Sequence, residues 1–156
     1  MGFLSGSDRA TVDPSLKAIF VSGCAEKHDG KAHQLLARRQ KHVLPVTNAL
    51  RSGEEALLLV GKCDANVRPH GDYLLVTNQR TISICGSYTQ EIEHGDVVEI
   101  EAGAAQFNVL VAIHSRTSRL DYHPNDNKRF EHIIVHKVAT PRQGAQIRAA
   151  VERYIS

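Results

Sequence analysis

Long apolar runs are missing from this sequence of 156 residues. The longest have five residues, as at 56–60, far short of the roughly 20 residues that a membrane-spanning helix needs. No charged and then apolar segment opens the chain, as a secretory signal would, and Gly6 stands where a myristoylation signal has serine or threonine. The simplest interpretation is a soluble cytoplasmic protein.

Motifs for catalysis are also missing. The sequence has no glycine-rich phosphate loop, no paired-carboxylate motif and no serine nucleophile elbow. Its three cysteines form no C-x-x-C pair, and at least one of Cys63 and Cys85 is expected to be a buried free thiol. One alternative is Cys24, in a glycine-containing stretch near His28, as a nucleophile paired with a base. We predict that the chain is not an enzyme and needs no cofactor.

Histidine is abundant, with nine residues, but it lacks a metal-site pattern. His132 and His136 are four residues apart, which would place two ligands on one helical turn. The same spacing also places two side chains on one face of a strand. The motif His-Glu-x-x-His is absent, and the nearest further histidine is His123. We therefore predict no metal site.

Charge is unevenly distributed although the net charge is only +2. With histidine neutral, residues 1–53 carry +4, residues 54–103 carry −6 and residues 104–156 carry +4. Such a pattern would attract an anionic partner, or would let the basic and acidic parts attract each other or a second copy of the chain.

A basic segment without any acidic residue lies at 31–51 and includes Arg38, Arg39 and Lys41. A basic helix binds nucleic acid or an anionic membrane surface. This one lacks aromatic residues for base stacking and a bulky apolar face for lipid insertion. The alternative is a solvated helix that docks on the acidic middle of the chain.

Helical patterns occupy both ends of the chain. We predict a helical hairpin over 12–44, in which Asp13 caps a first helix that Gly23 ends, and a second helix runs over 31–43 until Pro45. The second helix has a narrow apolar stripe of Leu35, Leu36 and Val43. At the other end, Thr140 and Pro141 begin a closing helix. Its apolar face consists of Ile147, Val151, Tyr154 and Ile155.

Between the helices the apolar pattern has a period of two, which predicts strands. They cover residues 54–62, 73–76, 80–85, 89–93, 97–101, 106–114 and 119–123; residues 130–138 fit a strand or a helix. Between 73–76 and 80–85, the two-residue connection Asn78-Gln79, closed by Thr77 and Arg80, predicts a tight hairpin, and a tight hairpin favours a positive φ at Asn78.

The segment Leu-Leu-Val-Thr-Asn-Gln-Arg, residues 74–80, resembles the LxxTNxR hairpin of bacterial pleckstrin-homology-like domains. Gly53-Glu54-Glu55 resembles the GE that opens the first strand in that family, and residues 90–97 resemble its later I-x-x-x-D-I segment. The resemblance covers residues 53–155 and divides the chain into an N-terminal helical extension (1–52) and a PH-like domain (53–156). It implies a mainly β fold, α+β overall. In this fold a curved seven-stranded antiparallel sheet forms a barrel of two orthogonal halves, capped by the C-terminal helix.

The resemblance also suggests where an anion would bind. Eukaryotic relatives bind phosphoinositides with a lysine late in the first strand and a basic-x-arginine pattern near the second. Here Lys62 precedes Arg68-Pro69-His70, with histidine in place of the arginine, and Asp64 and Asp72 oppose an anion. The candidate anion-binding residues are Lys62, Arg68, His70, Arg38, Arg39 and Lys41.

The expected function is therefore a non-catalytic module for protein–protein interaction or self-assembly, since open sheet edges can pair with a partner. The alternative is peripheral binding of anionic lipid or nucleic acid through residues 31–51 with Lys62 and Arg68.

Overall fold

The computed structural model describes residues 11–104, 108–116, 122–123, 128–129 and 132–155. The helices are α1 (Pro14–Lys17), α2 (Asp29–Asn48) and α3 (Pro141–Glu152). Short 3-10 turns lie at Glu26–His28 and His94–Asp96. The strands are β1 (Phe20–Val21), β2 (Ala56–Cys63), β3 (Pro69–Thr77), β4 (Arg80–Cys85), β5 (Tyr88–Glu93), β6 (Val97–Ala104), β7 (Val109–Ser115), β8 (Tyr122–His123), β9 (Lys128–Arg129) and β10 (His132–Val138).

Eight of these strands form two sheets, which confirms the α+β prediction. Sheet A has the order β1-β2-β3-β4-β5 and sheet B the order β10-β7-β6, while β8 pairs with β9. Only β1 pairs in parallel; every other pairing is antiparallel. The expected barrel is not closed, because no described strand of sheet A pairs with one of sheet B. The 3-10 turn His94–Asp96 interrupts the chain between β5 and β6.

The space between the two sheets holds the larger hydrophobic cluster. Sheet A contributes alternate residues of its inner face, and sheet B contributes the inward residues of β6, β7 and β10. Helix α3 adds Ile147 and Val151, both fully buried. The cluster consists of Val60, Leu74, Val76, Ile92, Val97, Ile100, Val109, Val111, Ile113, Ile134, Val138, Ile147 and Val151. Burying aliphatic side chains here supplies the main driving force for folding.

The other face of sheet A is covered by the N-terminal helices. Leu16 of α1 and Leu36 and Val43 of α2 pack on this face. Their partners on sheet A are Leu59, Tyr73, Leu75, Ile82 and Ile84. Sheet A is therefore buried on both faces, which explains the continuous apolar run at residues 73–76. The sequence left open whether the N-terminal region packs on the sheet, and α1 and α2 do.

The predicted first helix of the N-terminal hairpin is wrong beyond its first turn. Asp13 caps α1 as expected, since its carboxylate accepts a hydrogen bond from Ser15 N at 2.9 Å. The helix ends at Lys17, and Phe20–Val21 instead form β1 beside β2. Pairing with β2, about forty residues later in the chain, outweighs the local helical pattern because it satisfies the backbone, buries Leu16 and partly buries Phe20.

The prediction that Pro45 ends the second helix is also wrong. Helix α2 continues through Pro45 to Asn48. Proline removes one backbone donor from a helix, but Val46 and Leu50 beyond it pack on the same cluster as Val43. This packing stabilises the last turn despite the missing hydrogen bond.

The hairpin between β3 and β4 has the predicted two-residue connection, but its expected geometry is wrong. Among the described non-glycine residues, only Val67 has a positive φ. Asn78 instead uses its side chain: Oδ1 accepts from Glu55 N at 2.8 Å and Nδ2 donates to Gly53 O at 3.0 Å. Asparagine is thus explained by two bonds to the chain ahead of β2 rather than by turn conformation.

The C-terminal part of the structure agrees closely with the elements predicted from the sequence. Residues 132–138 form a strand, which decides the open choice between strand and helix. Thr140 caps α3 in a capping box with Gln143, as the Ser/Thr-x-x-Gln pattern favours. Gly144 lets α3 approach sheet B, since a Cβ there would lie 3.1 Å from Val109 Cγ1. Residues 106–107, 119–121 and 130–131 of the predicted strands lie outside the described residues.

His136 should make the protein sensitive to mild acid. Its ring is buried between the sheets, and Nε2 donates to Gly61 O at 3.0 Å. Burial lowers the pKa of His136 to about 4. The unfolded chain would take up this proton near pH 6.5 and the folded chain only near pH 4, so stability is complete above pH 6.5 and is lost toward pH 4. Between pH 7 and pH 5 we expect a loss of about 2 kcal/mol from this group.

The measurement is urea unfolding at both pH values for the wild type and for His136→Gln. The glutamine keeps a donor for Gly61 O but does not titrate, so its stability should change less between the two pH values. An equal change in both proteins would contradict the assignment.

Candidate functional site

One side of α2 carries a cluster of basic residues, here called the basic flank: Arg38, Arg39 and Lys41, which are exposed, and His42, which is half-buried. Leu36 and Val43 turn toward sheet A and are fully buried. Positions 35, 38, 39 and 42 follow helical spacing and lie on one side of the helix. With Leu35 and Lys41 they line a groove of about 280 Å³. Leu35, predicted as part of the apolar stripe, lies half-buried in this groove.

Arg39 lies over the beginning of β3. A Cβ at Gly71 would come within 3.5 Å of Arg39 Nε, so the guanidinium group rests on backbone that carries no side chain. Tyr73 lies close by: burial raises the pKa of its hydroxyl, and the charges of Arg39 and Arg38 oppose that rise. The guanidinium group of Arg39 is therefore positioned by the backbone of β3, while the residue as a whole stays exposed.

The cations of the basic flank have no neutralising partner within the described part of the chain. Arg38, Arg39 and Lys41 form no ion pair with any residue that the structure describes. Arg51, at the end of the same basic segment, pairs with Glu91 and Glu93 of β5. The alternative that the basic segment docks on the acidic middle of the chain is therefore correct for Arg51. It does not apply to the basic flank. Free cations beside a groove are suited to bind an external anion.

The other predicted anion-binding residues lie elsewhere. Lys62 shares the inner side of sheet A with Val60 and influences the pKa of His136, whereas α2 packs on the opposite face. His70 Nδ1 lies 3.3 Å from Asp72 Oδ2. Arg68 lies in the β2–β3 turn, where its backbone N–H donates to Asp64 Oδ1. The structure brings Arg38, Arg39 and Lys41 together and separates them from Lys62 across sheet A.

The two family-like motifs form one polar network. Glu54 accepts hydrogen bonds from Arg80 Nε at 2.8 Å, Arg80 Nη2 at 3.0 Å and Thr77 Oγ1 at 2.6 Å. His94 Nε2 donates to Thr77 O at 2.7 Å, and its ring stacks on Tyr154. The sequence showed the residues but not this mutual contact. Every one of these groups binds another part of the chain, so the network is structural.

Cys24 does not have the surroundings of an activated nucleophile. It is buried, and burial raises the pKa of its thiol, whereas catalytic cysteines have a lowered pKa. It lines a cleft of about 460 Å³ with Ser22, Asp29 and His33, and His28 is not part of that lining. Cys63 is also a buried free thiol, as expected, and Cys85 is exposed. The absence of enzyme activity stays a prediction.

One set of donor groups among the described residues is close enough to share a metal ion. Ligand atoms of Glu99, Glu101 and His114 lie within 4.8 Å of one another on sheet B. His114 Nε2 already lies 3.0 Å from Glu101 Oε2, and this contact accounts for the approach of these two groups without a metal. The alternative of His132 and His136 as a ligand pair is not supported, because the ring of His136 is buried and bonded to Gly61 O.

No related protein identifies the chain. Comparisons with protein-family models and with curated proteins find no match. In the described part of the chain, no helix is both long and apolar enough to cross a membrane. The function must therefore be argued from the surfaces of the molecule itself.

Proposed function

We propose that this protein is a non-catalytic interaction module of the pleckstrin-homology-like type that binds an acidic surface of a protein through its basic flank. The observation that carries the proposal is the groove beside Arg38, Arg39 and Lys41, whose charges no described residue neutralises. Arginine suits this task because its planar group binds carboxylates with two hydrogen bonds.

The strand arrangement supports the PH-like part of the proposal. Strands β2 to β5 are four consecutive antiparallel neighbours, and β6, β7 and β10 form a second sheet of three. Together they give the seven strands that the resemblance implies, followed by the C-terminal helix α3 between the sheets. The contact of Glu54 with Thr77 and Arg80 also gives a physical reason for the joint occurrence of the GE and TNxR motifs.

A protein partner fits the basic flank better than lipid or nucleic acid. Helix α2 carries no aromatic residue on which a base could stack. Its bulky apolar residues Leu36 and Val43 are buried against sheet A, and so do not insert into a bilayer. What remains is ionic recognition with a small apolar contact at Leu35, a combination suited to acidic side chains.

The test compares three probes with the full chain at low salt: a poly-glutamate peptide, a single-stranded oligonucleotide, and vesicles of equal parts phosphatidylserine and phosphatidylcholine. We expect the peptide to bind tightest, and Arg38→Glu with Arg39→Glu to weaken its binding at least about tenfold. Raising the salt to 1 M should also abolish it, since the Debye length then falls to about 3 Å.

The control variant is Arg142→Glu with Arg153→Glu, which changes the net charge equally at exposed positions of α3. Peptide binding that drops as much in this control would show a general charge effect and overturn the site. Tighter binding to the oligonucleotide or to the vesicles would contradict a protein partner and would favour nucleic acid or anionic lipid as the ligand. Absence of binding to all three probes would overturn the proposal as a whole.

A further inference from the structure

The outward face of sheet B is unusually apolar for a surface. Leu110 is 37% exposed, Ile133 36% and Val135 50%. The register places them together: Ile133 lies opposite His114, Val135 opposite Ala112, and Leu110 opposite Lys137. Contiguous exposed apolar side chains on a small protein mark an interaction site more often than isolated ones do.

An acidic row borders this apolar area on β6. Glu99 lies opposite His114 and Glu101 opposite Ala112, so the central strand β7 separates both glutamates from Ile133 and Val135, and Leu110 lies diagonally from Glu101. Both glutamates are exposed. Glu99 has no ion pair with a described residue, and the partner of Glu101 is His114. We call Glu99, Glu101, Leu110, Ile133 and Val135 the acidic face.

The acidic face and the basic flank cannot meet within one molecule. Helix α2 packs on one side of sheet A, and sheet B packs on the other with its inner residues. The outward face of sheet B therefore points away from α2. Two exposed surfaces of opposite charge thus lie on opposite sides of the chain, each with an apolar component, Leu35 on the one and Val135 on the other.

We propose that the acidic surface bound by the basic flank is the acidic face of a second copy of this chain. This inference rests on the proposed function and names its partner. Charge complementarity selects the pairing, because like faces would oppose glutamate to glutamate or arginine to arginine. Since the two surfaces differ, the contact is heterologous and joins copies head to tail, and it gives rings or open chains rather than a closed two-fold dimer.

The experiment measures mass by sedimentation velocity at low salt over a range of protein concentrations. The wild type should form a series of species that grows with concentration and dissociates at high salt. Two variants each remove one surface without reversing its charge: Arg38→Gln with Arg39→Gln, and Glu99→Gln with Glu101→Gln. Each variant alone should associate at least about tenfold more weakly than the wild type.

Mixing the two variants is the decisive step. One still has its acidic face and the other still has its basic flank, so an equimolar mixture should form one-to-one dimers and nothing larger. A mixture that behaves like the separate variants would overturn the head-to-tail contact. A wild type that stays monomeric, or variants that associate as the wild type does, would also overturn it.

The outcome can be separated from that of the proposed function. The variant Glu99→Gln with Glu101→Gln keeps its basic flank and should bind poly-glutamate like the wild type, which also shows that it is folded. Peptide binding together with a monomeric wild type would leave the proposed function standing and would reject the second copy as partner. Loss of both would reject both.

Discussion

Replacing Glu54 with alanine is expected to lower the free energy of unfolding by about 3 kcal/mol, because the partly buried Arg80 loses its buried partner and keeps only the exposed Glu91. The Glu54 side chain is 0% exposed and that of Arg80 12%. Burial alone would raise the pKa of Glu54, but hydrogen bonds from Arg80, Thr77 and the backbone of Arg51 outweigh it and lower the pKa to about 2. Urea unfolding at pH 7 measures the loss.

Two further variants test the cause. Glu55→Ala removes the exposed neighbouring carboxylate and should change stability by no more than about 0.5 kcal/mol. The double variant Glu54→Leu with Arg80→Met removes both charges and should recover much of the loss. If the double variant is less stable than Glu54→Ala, the effect is explained by lost side-chain packing and not by an unpaired charge.

The Glu54 carboxyl group should also make the stability of the protein depend on pH in the acid range. The pKa of Glu54 is lowered on folding, so its contribution is complete above about pH 4.5 and is lost as the pH falls toward 2. The shift corresponds to about 3 kcal/mol. A Glu54→Gln variant should show a shallower loss of stability over this range than the wild type.

Gly23→Ala is expected to lower the free energy of unfolding by more than about 4 kcal/mol, enough to unfold a marginally stable domain. Gly23 has φ +71° and lies against β2, where a Cβ would come 1.7 Å from the carbonyl oxygen of Gly61. Both obstacles are backbone, so no side chain can move aside. Expression yield and thermal unfolding measure the effect.

Other glycines separate the two causes. Gly86 has φ +61° and no atom within 4 Å of a Cβ. Gly86→Ala should therefore lower the free energy of unfolding only by the cost of alanine in the left-handed conformation, about 1–2 kcal/mol. Gly61 has no such φ, but its Cβ would lie 2.3 Å from Ser22 O. Gly30, in α2, has neither obstacle, and Gly30→Ala should stabilise the helix by up to about 1 kcal/mol. A Gly23→Ala protein as stable as Gly86→Ala would contradict the close approach.

Local patterns predicted those elements whose partners lie nearby in the chain. Strand β4 has the predicted bounds Arg80–Cys85, and its alternation follows from pairing with the adjacent β3 and β5. The start of α3 follows from Thr140 and Pro141, which act within one turn. In both cases the information lies within a few residues of the element that it specifies.

Elements that depend on distant partners could not be read from the sequence. Phe20 and Val21 form a strand only because β2 offers an edge, and nothing local distinguishes them from a helix. The candidate site shows the same limit. The basic residues of α2 were evident as a group, but the separation of Lys62 from Arg39 depends on which faces of sheet A the two elements occupy. The acidic face combines β6, β7 and β10, and no motif marks it.

The anchoring of Gly23 and Cys24 constrains how the chain folds as it leaves the ribosome. Gly23 O accepts a hydrogen bond from Ala139 N, and Cys24 O accepts one from Gln143 Nε2, 119 residues later. Strand β1 can meet β2 early, but the residues that follow β1 are secured only when residues 139–143 have emerged. More than a hundred residues separate the two partners, and such long-range closure slows folding.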